Sequence, residues 1–325
     1  TLSVPGEALV PEGPSPMTPT EVWSRQSREA QGIMLSLTSA ACMGITYVTS
    51  KHVLRSIHPE TFVVLWFAMG SLYSLVLLMR QGKRGTLVEA GNPWKVLTGV
   101  GLSSAVSILL FFYAIQLIDP AIVSFYTRAD NIFAVLMGVV FLRERFNSFE
   151  GLGVGIALLG SLVTTYRGGH LLMIGLGLCL LSSLLEGFTV ILVKMAVRRV
   201  SPLVVIFYRS LLASAIALVY GLATGRLEMP APGTLAIIAA ASLAGSFLAN
   251  VTFYASLARI DVTRATAIKT LQPFFVLVAA YLVFTTLPTS RQVLGGAIIV
   301  AGILLLLHGR RRVRRAGGGT LVFEP

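Results

Sequence analysis

Seven ionisable side chains interrupt otherwise apolar runs of this sequence: Lys51, Arg128, Asp130, Glu186, Lys194, Arg209 and Lys269. A charge held in hydrocarbon is unfavourable unless it is paired or hydrated, so each such group marks a solute pathway, a relay or an interhelical pair. Five are basic and two acidic, so a cavity faced by several of them would receive a carboxylate or another anionic group. Arg209 and Lys269 are the first candidates for that contact. For Arg128 and Lys269, lining a cavity and pairing between helices are both open readings. Residues two apart do not share a helical face, so Arg128 and Asp130 are expected to find different partners, with Asp130 neutralising Arg209 or Lys269. Lys51 and Lys194 stand late in their helices, where a long side chain can snorkel to the interface, and a symmetric structural or gating role suits them better than solute contact. Glu186 lies two turns before Lys194, either in the same polar seam or as a titratable coupling site. Tyr47, Tyr113, Tyr126, Tyr208, Tyr254 and Trp66 could wall such a cavity with aromatic surface, while Asn131 and Gln272 add polar contacts inside the segments YTRADN and IKTLQP.

Other chemistries find no residues to perform them. The HExxH and GxSxG patterns of hydrolytic sites are absent, and His52, His58, His170 and His308 are scattered near predicted helix ends. Cys42 and Cys179 lie in apolar runs without metal-ligand spacing. Neither enzymatic activity nor a cofactor or metal is expected. The formal charge of +12 sits mostly in short loops and in the cluster Arg310, Arg311, Arg312, Arg314 and Arg315, which suits lipid headgroups better than nucleic acid. The expected partners are a small-molecule solute and the lipid bilayer, and a homodimer stays open.

These residues must be positioned by membrane helices. Hydrophobic residues make up 55% of the 325 positions and charged ones only 12%, too few charges for a water-exposed surface. Spanning a bilayer takes roughly 20 apolar residues, and runs of about that length fall at 32–54, 61–79, 96–118, 121–142, 149–166, 171–197, 203–223, 235–257, 262–284 and 293–307. Basic residues accumulate on the cytoplasmic side of short loops. One side holds Arg25, Arg28, Arg80, Lys83, Arg84, Lys95, Arg143, Arg145, Arg198, Arg199, Arg259, Arg264 and the terminal arginines; the other holds Arg55, Arg167, Arg226 and Arg291. Both termini are therefore expected in the cytoplasm, with the chain multi-pass in the inner membrane.

The sequence also repeats. Lys51, Arg55 and Pro59 align with Lys194, Arg198 and Pro202; Phe112, Tyr113 and Ala114 with Phe253, Tyr254 and Ala255; Phe133, Gly153 and Gly160 with Phe275, Gly295 and Gly302. Five helices per repeat reverse the sense of the second, giving inverted repeats about a pseudo-two-fold axis, an architecture suited to alternating access at a midplane site. Gly151, Gly155 and Gly160 in the fifth helix are expected to permit close helix packing. The fold class expected is an all-α membrane protein of ten transmembrane helices in two inverted five-helix repeats. Its divisions are a disordered cytoplasmic arm at 1–29, repeats at 30–167 and 168–308, and a basic cytoplasmic tail at 309–325.

The segments GITYVTSKHVLRSIHP and TVILVKMAVRRVSP, with Arg209 following the second, FLRERFNSFEGLGVGIALLG and IKTLQPFFVLVAAYL resemble the EamA-type repeats of the drug/metabolite transporter superfamily over residues 32 to 308. Trp66 or Phe67 replaces the first-half Arg of that pattern, Asn131 the fourth-helix Pro, and Thr286 the second-half Glu. The resemblance implies a secondary transporter exporting small metabolites, with amino acids the nearest specific solute and organic anions or phosphorylated metabolites the alternative. A non-transporting receptor or scaffold is the competing reading of another class.

Overall fold

Proline stands at the first position of five helices, where its missing N–H is no loss and its fixed φ suits the first turn. A computed structural model describes residues 19–82, 93–142, 147–165, 170–197, 199–257, 259–260, 265, 268–285 and 289–316. Its helices are α1 (Pro19–Val53), α2 (Pro59–Arg80), α3 (Trp94–Leu117), α4 (Pro120–Tyr126), α5 (Ala129–Leu142), α6 (Ser148–Thr165), α7 (His170–Ala196), α8 (Pro202–Thr224), α9 (Pro232–Ser242), α10 (Ala249–Leu257), α11 (Gln272–Phe284) and α12 (Ser290–Ala316). A π-helical stretch, Leu243–Leu248, joins α9 to α10 without a break. No strand occurs among the described residues.

The helices differ from the sequence expectation in four places. Where ten spans are expected, six helices among the described residues are long and apolar enough to cross a membrane; Ser148–Gly160, Gln272–Phe284 and Val293–Leu306 are shorter apolar helices. The fourth expected span divides into α4 and α5 at Thr127 and Arg128, where the backbone tightens into i→i−3 bonds, Arg128 N–H to the Phe125 carbonyl and Asp130 N–H to the Thr127 carbonyl. Residues 19–29, expected as part of a disordered arm, begin α1, because Pro19 starts a run rich in the helix formers Glu, Arg, Gln and Ala. Likewise α12 carries the arginine cluster on to Ala316 as helix. Lys83, Arg84, Arg143, Arg145, Arg167, Arg198, Arg264 and Thr286 lie outside the described residues, as do 1–18 and 317–325.

Helix contacts exchange the two repeats. The fifth helices α6 and α12 pack on each other, as do the second helices α2 and α8. The contact of α3 with α7 is matched by α1 against α9 and α10, and that of α5 with α7 by α1 with α11. Between α6 and α12 the match reaches single residues. A Cβ on Gly153 would strike the backbone at Gly302, and one on Gly160 the backbone at Gly295, so the repeat-related glycines form a reciprocal close approach. Gly155, expected in that contact, faces open space instead.

Hydroxyls join the helices inside this bundle. Ser36 and Ser256 share a hydrogen bond of 2.9 Å between α1 and α10, and Ser103 and Thr189 one of 2.7 Å between α3 and α7. Such pairs suit helices that gain nothing from burying apolar surface against one another in lipid. Outward faces are apolar, with Leu159, Val219, Leu222, Val278 and Leu282 more than half exposed. The interior includes a tightly packed aromatic group of Tyr47, Phe62, Trp66, Phe67, Phe111 and Phe112. The chain is a multi-pass helical membrane protein.

Candidate functional site

Three interruptions of regular helix meet between the halves. The first is the turn at Thr127 and Arg128 between α4 and α5. Its polar groups are held from several sides: Tyr47 Oη lies 2.8 Å from Thr127 Oγ1, Ser183 Oγ donates to the Thr127 carbonyl at 3.3 Å, and Asn131 Nδ2 donates to the Arg128 carbonyl at 3.3 Å. The second is the repeat-related turn at Thr270 and Leu271, after which α11 opens with Gln272 and Pro273. The third is the π stretch, where Asn250 Nδ2 donates to the carbonyls of Gly245 at 3.3 Å and Ser246 at 2.9 Å. A π turn frees backbone acceptors and often marks a functional position; here Asn250 takes them up. Gly245 and Gly70 allow this stretch to lie directly against Thr46 of α1 and α2 respectively.

The interruptions border one cavity of about 80 Å³, several times the roughly 15 Å³ that a single water needs. Its wall holds three cations, Arg128, Arg209 and Lys269, and two acids, Asp130 and Glu186. Arg209 from α8 donates through Nη2 to both carboxylate oxygens of Glu186 on α7, at 2.9 and 3.1 Å, and through Nε to Ser104 Oγ at 2.8 Å. Arg128 and Asp130 form a looser pair at 3.7 Å, and the Asn131 backbone N–H and Nδ2 donate to Asp130 Oδ1 at 2.8 and 2.9 Å. Lys269 has no carboxylate within ion-pairing distance among the described residues. Its ammonium lies 4.3 Å from the centre of the Phe253 ring, a cation–π contact. With two cations offset by two acids, the formal surplus is one positive charge, carried by Lys269.

Four lining side chains also point polar atoms at no protein partner. Trp66 Nε1, Arg128 Nε, Ser246 Oγ and both amide atoms of Gln272 make no hydrogen bond, although these residues are no more than 5% exposed. A buried polar group left unpaired in a folded protein calls for an explanation. Here the four residues converge on one space. Ser246 Oγ lies against Gly70 of α2, so the wall offers three unpaired nitrogen donors, those of Trp66, Arg128 and Gln272, beside the Asp130 and Glu186 carboxylates.

The expected site residues divide between this cavity and other places. Arg209, Lys269, Arg128, Asp130, Glu186, Gln272, Trp66 and Tyr47 line it. Tyr254 stands outside the lining and meets the Arg209 guanidinium. Asn131 acts through Asp130, and Tyr126 is buried at the end of α4. Tyr208 packs edge-on against Trp94 at 5.0 Å, away from the cavity. Tyr113 is also elsewhere, bonded to Glu60 at one end of the bundle. Lys51 directs Nζ to the carbonyls of Ile115, Gln116 and Ile118 at 2.7, 2.9 and 3.1 Å, capping the C-terminus of α3, a position where a cation suits the helix dipole. The Lys194 side chain lies outside the described set. The expectation that Arg128 and Asp130 part company fails, because the helix breaks there and a turn sets no helical phase. Asp130 accordingly pairs with Arg128 rather than with Arg209 or Lys269. Asn250 and the serines of the wall were not anticipated; a Gly-Ser pair with Asn four residues on was the available signal.

A model of the EamA-like transporter family matches residues 30–166 and 173–308, one copy per repeat. An uncharacterized transporter of Archaeoglobus fulgidus is 25% identical over 284 residues, 87% of this chain and 97% of that protein. The uncharacterized inner membrane transporter YhbE of Escherichia coli K12 is 26% identical over 138 residues, 42% of this chain and 43% of that protein. A solved crystal structure superposes with a TM-score of 0.66 at 17% identity, over 86% of this chain and 97% of the other, a likeness of fold.

Proposed function

From the premise that the chain belongs to the EamA-like transporter family, we propose that it carries small metabolites bearing one carboxylate, amino acids or close relatives, across the inner membrane by alternating access. The observation that carries this reading is a cavity lined by side chains with unpaired donors, whose one surplus charge is positive. A carboxylate offers two acceptor oxygens and one negative charge. It would meet Lys269 directly, while Arg128 Nε, Trp66 Nε1 and the Gln272 amide bind it or its neighbouring polar groups. The Arg209–Glu186 and Arg128–Asp130 pairs keep the remaining charges compensated and leave a carboxylate for a solute ammonium group to approach.

A phosphate dianion would require more free cation than Lys269 supplies, so the phosphorylated-solute reading has less support. The interrupted helices favour movement over static binding, because discontinuous helices recur at transporter binding sites. Charge asymmetry between the loops supports cytoplasmic termini; in that orientation the α1–α2 and α8–α9 turns lie at the outer face. No step in this cycle calls for a cofactor or a catalysed reaction.

Flux into liposomes containing the purified protein tests the proposal. Saturable movement of neutral amino acids or monocarboxylates, without comparable movement of sugar phosphates, is the expected result. Flux confined to phosphorylated solutes would replace the proposed solute class, and absence of flux across the panel would favour a receptor or scaffold.

A further inference from the structure

One end of the bundle carries an ionic fastening that, among the described residues, the other half of the repeat does not reproduce. Glu60 sits in the first turn of α2, fully buried. Its Oε1 accepts from Tyr113 Oη of α3 at 2.5 Å and from Arg226 Nη1 at 3.3 Å, and the same Nη1 donates to Tyr113 Oη at 2.8 Å. Arg226 belongs to the turn between α8 and α9, so three side chains tie α2 and α3 of the first repeat to the second.

The turn is shaped to present that arginine. Gly225 closes α8 with φ +65, a conformation open to glycine without a Cβ penalty. The Gly225 N–H bonds to the Leu222 carbonyl and the Arg226 N–H to the Gly221 carbonyl, the paired bonds of a Schellman ending. The turn is then stitched to α2 along its length. Thr61 Oγ1 donates to the Arg226 carbonyl at 3.2 Å, the Glu228 N–H donates to Thr61 Oγ1 at 3.1 Å, and the His58 N–H donates to Glu228 Oε1 at 2.6 Å. Beneath the fastening, Phe62 meets Phe112 edge-on at 4.6 Å and Trp66 meets Phe112 at 5.6 Å, so aromatic packing lies between it and the cavity wall at Trp66.

Repeat symmetry shows that the counterparts of Glu60 and Thr61 cannot take the same part. The spacing that carries Pro59 onto Pro202 carries Glu60 onto Leu203 and Thr61 onto Val204. Neither can accept a hydrogen bond from an arginine through its side chain. Tyr254, the counterpart of Tyr113, meets Arg209 instead. Two inverted repeats with equal closures would hold their two access states near balance; unequal closures bias them. Glu60 is also poised for release, because Oε2 has no hydrogen-bond partner while buried, so opening returns an incompletely satisfied carboxylate to water.

We propose that Glu60, Tyr113 and Arg226 form a one-sided latch that holds the α2 and α8–α9 end closed and sets the resting direction of access to the cavity. In the orientation supported by loop charge this is the outer end, so the inference rests on the alternating-access reading above. The latch must open whenever the cavity faces outward, and its loss shifts the resting population toward that state.

The test is thiol labelling in sealed right-side-out vesicles. Met43→Cys places a reporter in the cavity wall of a protein whose Cys42 and Cys179 are replaced by Ala. A membrane-impermeant maleimide is applied from outside, or trapped inside. Glu60→Gln and Arg226→Gln are expected to speed outside labelling by about tenfold, a shift of the size that removing a favoured-state contact produces in a two-state balance. The double variant should gain little beyond the faster single one, and Tyr113→Phe should show a smaller gain in the same direction. If Glu60→Gln does not fold, Tyr113→Phe, which removes one hydroxyl, carries the test. Unchanged outside labelling in all variants, with the thiol reactive from inside, would overturn the latch and leave alternating access standing. A thiol reactive from neither face in any variant, yet reactive after denaturation, would overturn alternating access and the latch with it.

Discussion

The two symmetry-related helix breaks use the same backbone device with different charge. Between α4 and α5 the turn carries Arg128 with Asp130 beside it, a pair at 3.7 Å, and Asn131 braces the acid. Before α11 the turn is flanked by Lys269 and Gln272, of which the first has no acid within ion-pairing distance among the described residues and the second no hydrogen bond. The first break has its charge compensated, with only Arg128 Nε left unpaired, while the second leaves both its charge and its amide open. Duplication supplies two equivalent interruptions at the middle of the bundle; divergence of a few side chains makes one a support and the other a receiver.

Removing the receiver's charge should have the largest effect. Lys269→Gln is expected to reduce carboxylate flux by about 100-fold, as loss of a buried charge partner does at a binding interface, with little change in melting temperature in detergent. Arg209→Gln contrasts with it, because it leaves the partly buried Glu186 without its partner, a loss of about 1–2 kcal/mol, less than for a fully buried pair. Melting should fall for Arg209→Gln and recover in the Arg209→Gln/Glu186→Gln double variant, while flux stays low in both. Equal melting of the three proteins would mean that the pair has no structural part.

Asp130→Asn probes the compensated break. It raises the surplus to two positive charges, and competition assays should show dicarboxylates gaining on monocarboxylates by about tenfold, in line with one added charge contact of roughly 1.4 kcal/mol. The smallest effect is expected at the receiver's amide. Gln272→Leu removes two polar atoms that no protein group answers, so stability should hold or rise while solute affinity falls about fivefold, the size of one ordinary hydrogen bond. A parallel fall in both would show that the amide serves packing instead.

How much of this was legible beforehand follows from what periodicity encodes. The apolar runs, the repeat and the packing role of Gly160 were readable because lipid and helix packing act on residue type at regular spacing, whereas Gly155 faces open space and the reciprocal contact of Gly153 with Gly302 was not foreseen. The place of Arg209, Lys269 and Gln272 in the cavity wall was readable as well, since a polar group inside such a run is conspicuous, and Trp66 was readable as aromatic wall. The pairing of Arg128 with Asp130 was not, because a helical face is defined only where the helix continues. Glu60 escaped notice for a related reason: it stands beside Pro59 at a predicted helix start, where a charged residue is ordinary, and only the fold brings Tyr113 and Arg226 to it. Tyr113 and Tyr254 looked alike in the repeat and differ in place because Arg209 has no counterpart in the first half, where Trp66 or Phe67 stands.

Discrimination between an acid and its amide is the most direct measurement of what the cavity selects. Flux of a small amino acid and of its carboxamide analogue would be compared in the same liposomes, for the unaltered protein and for Lys269→Gln. The expected result is saturable flux of the acid, little of the amide, and loss of that preference in Lys269→Gln. Equal flux of acid and amide in the unaltered protein would contradict a site built around one carboxylate.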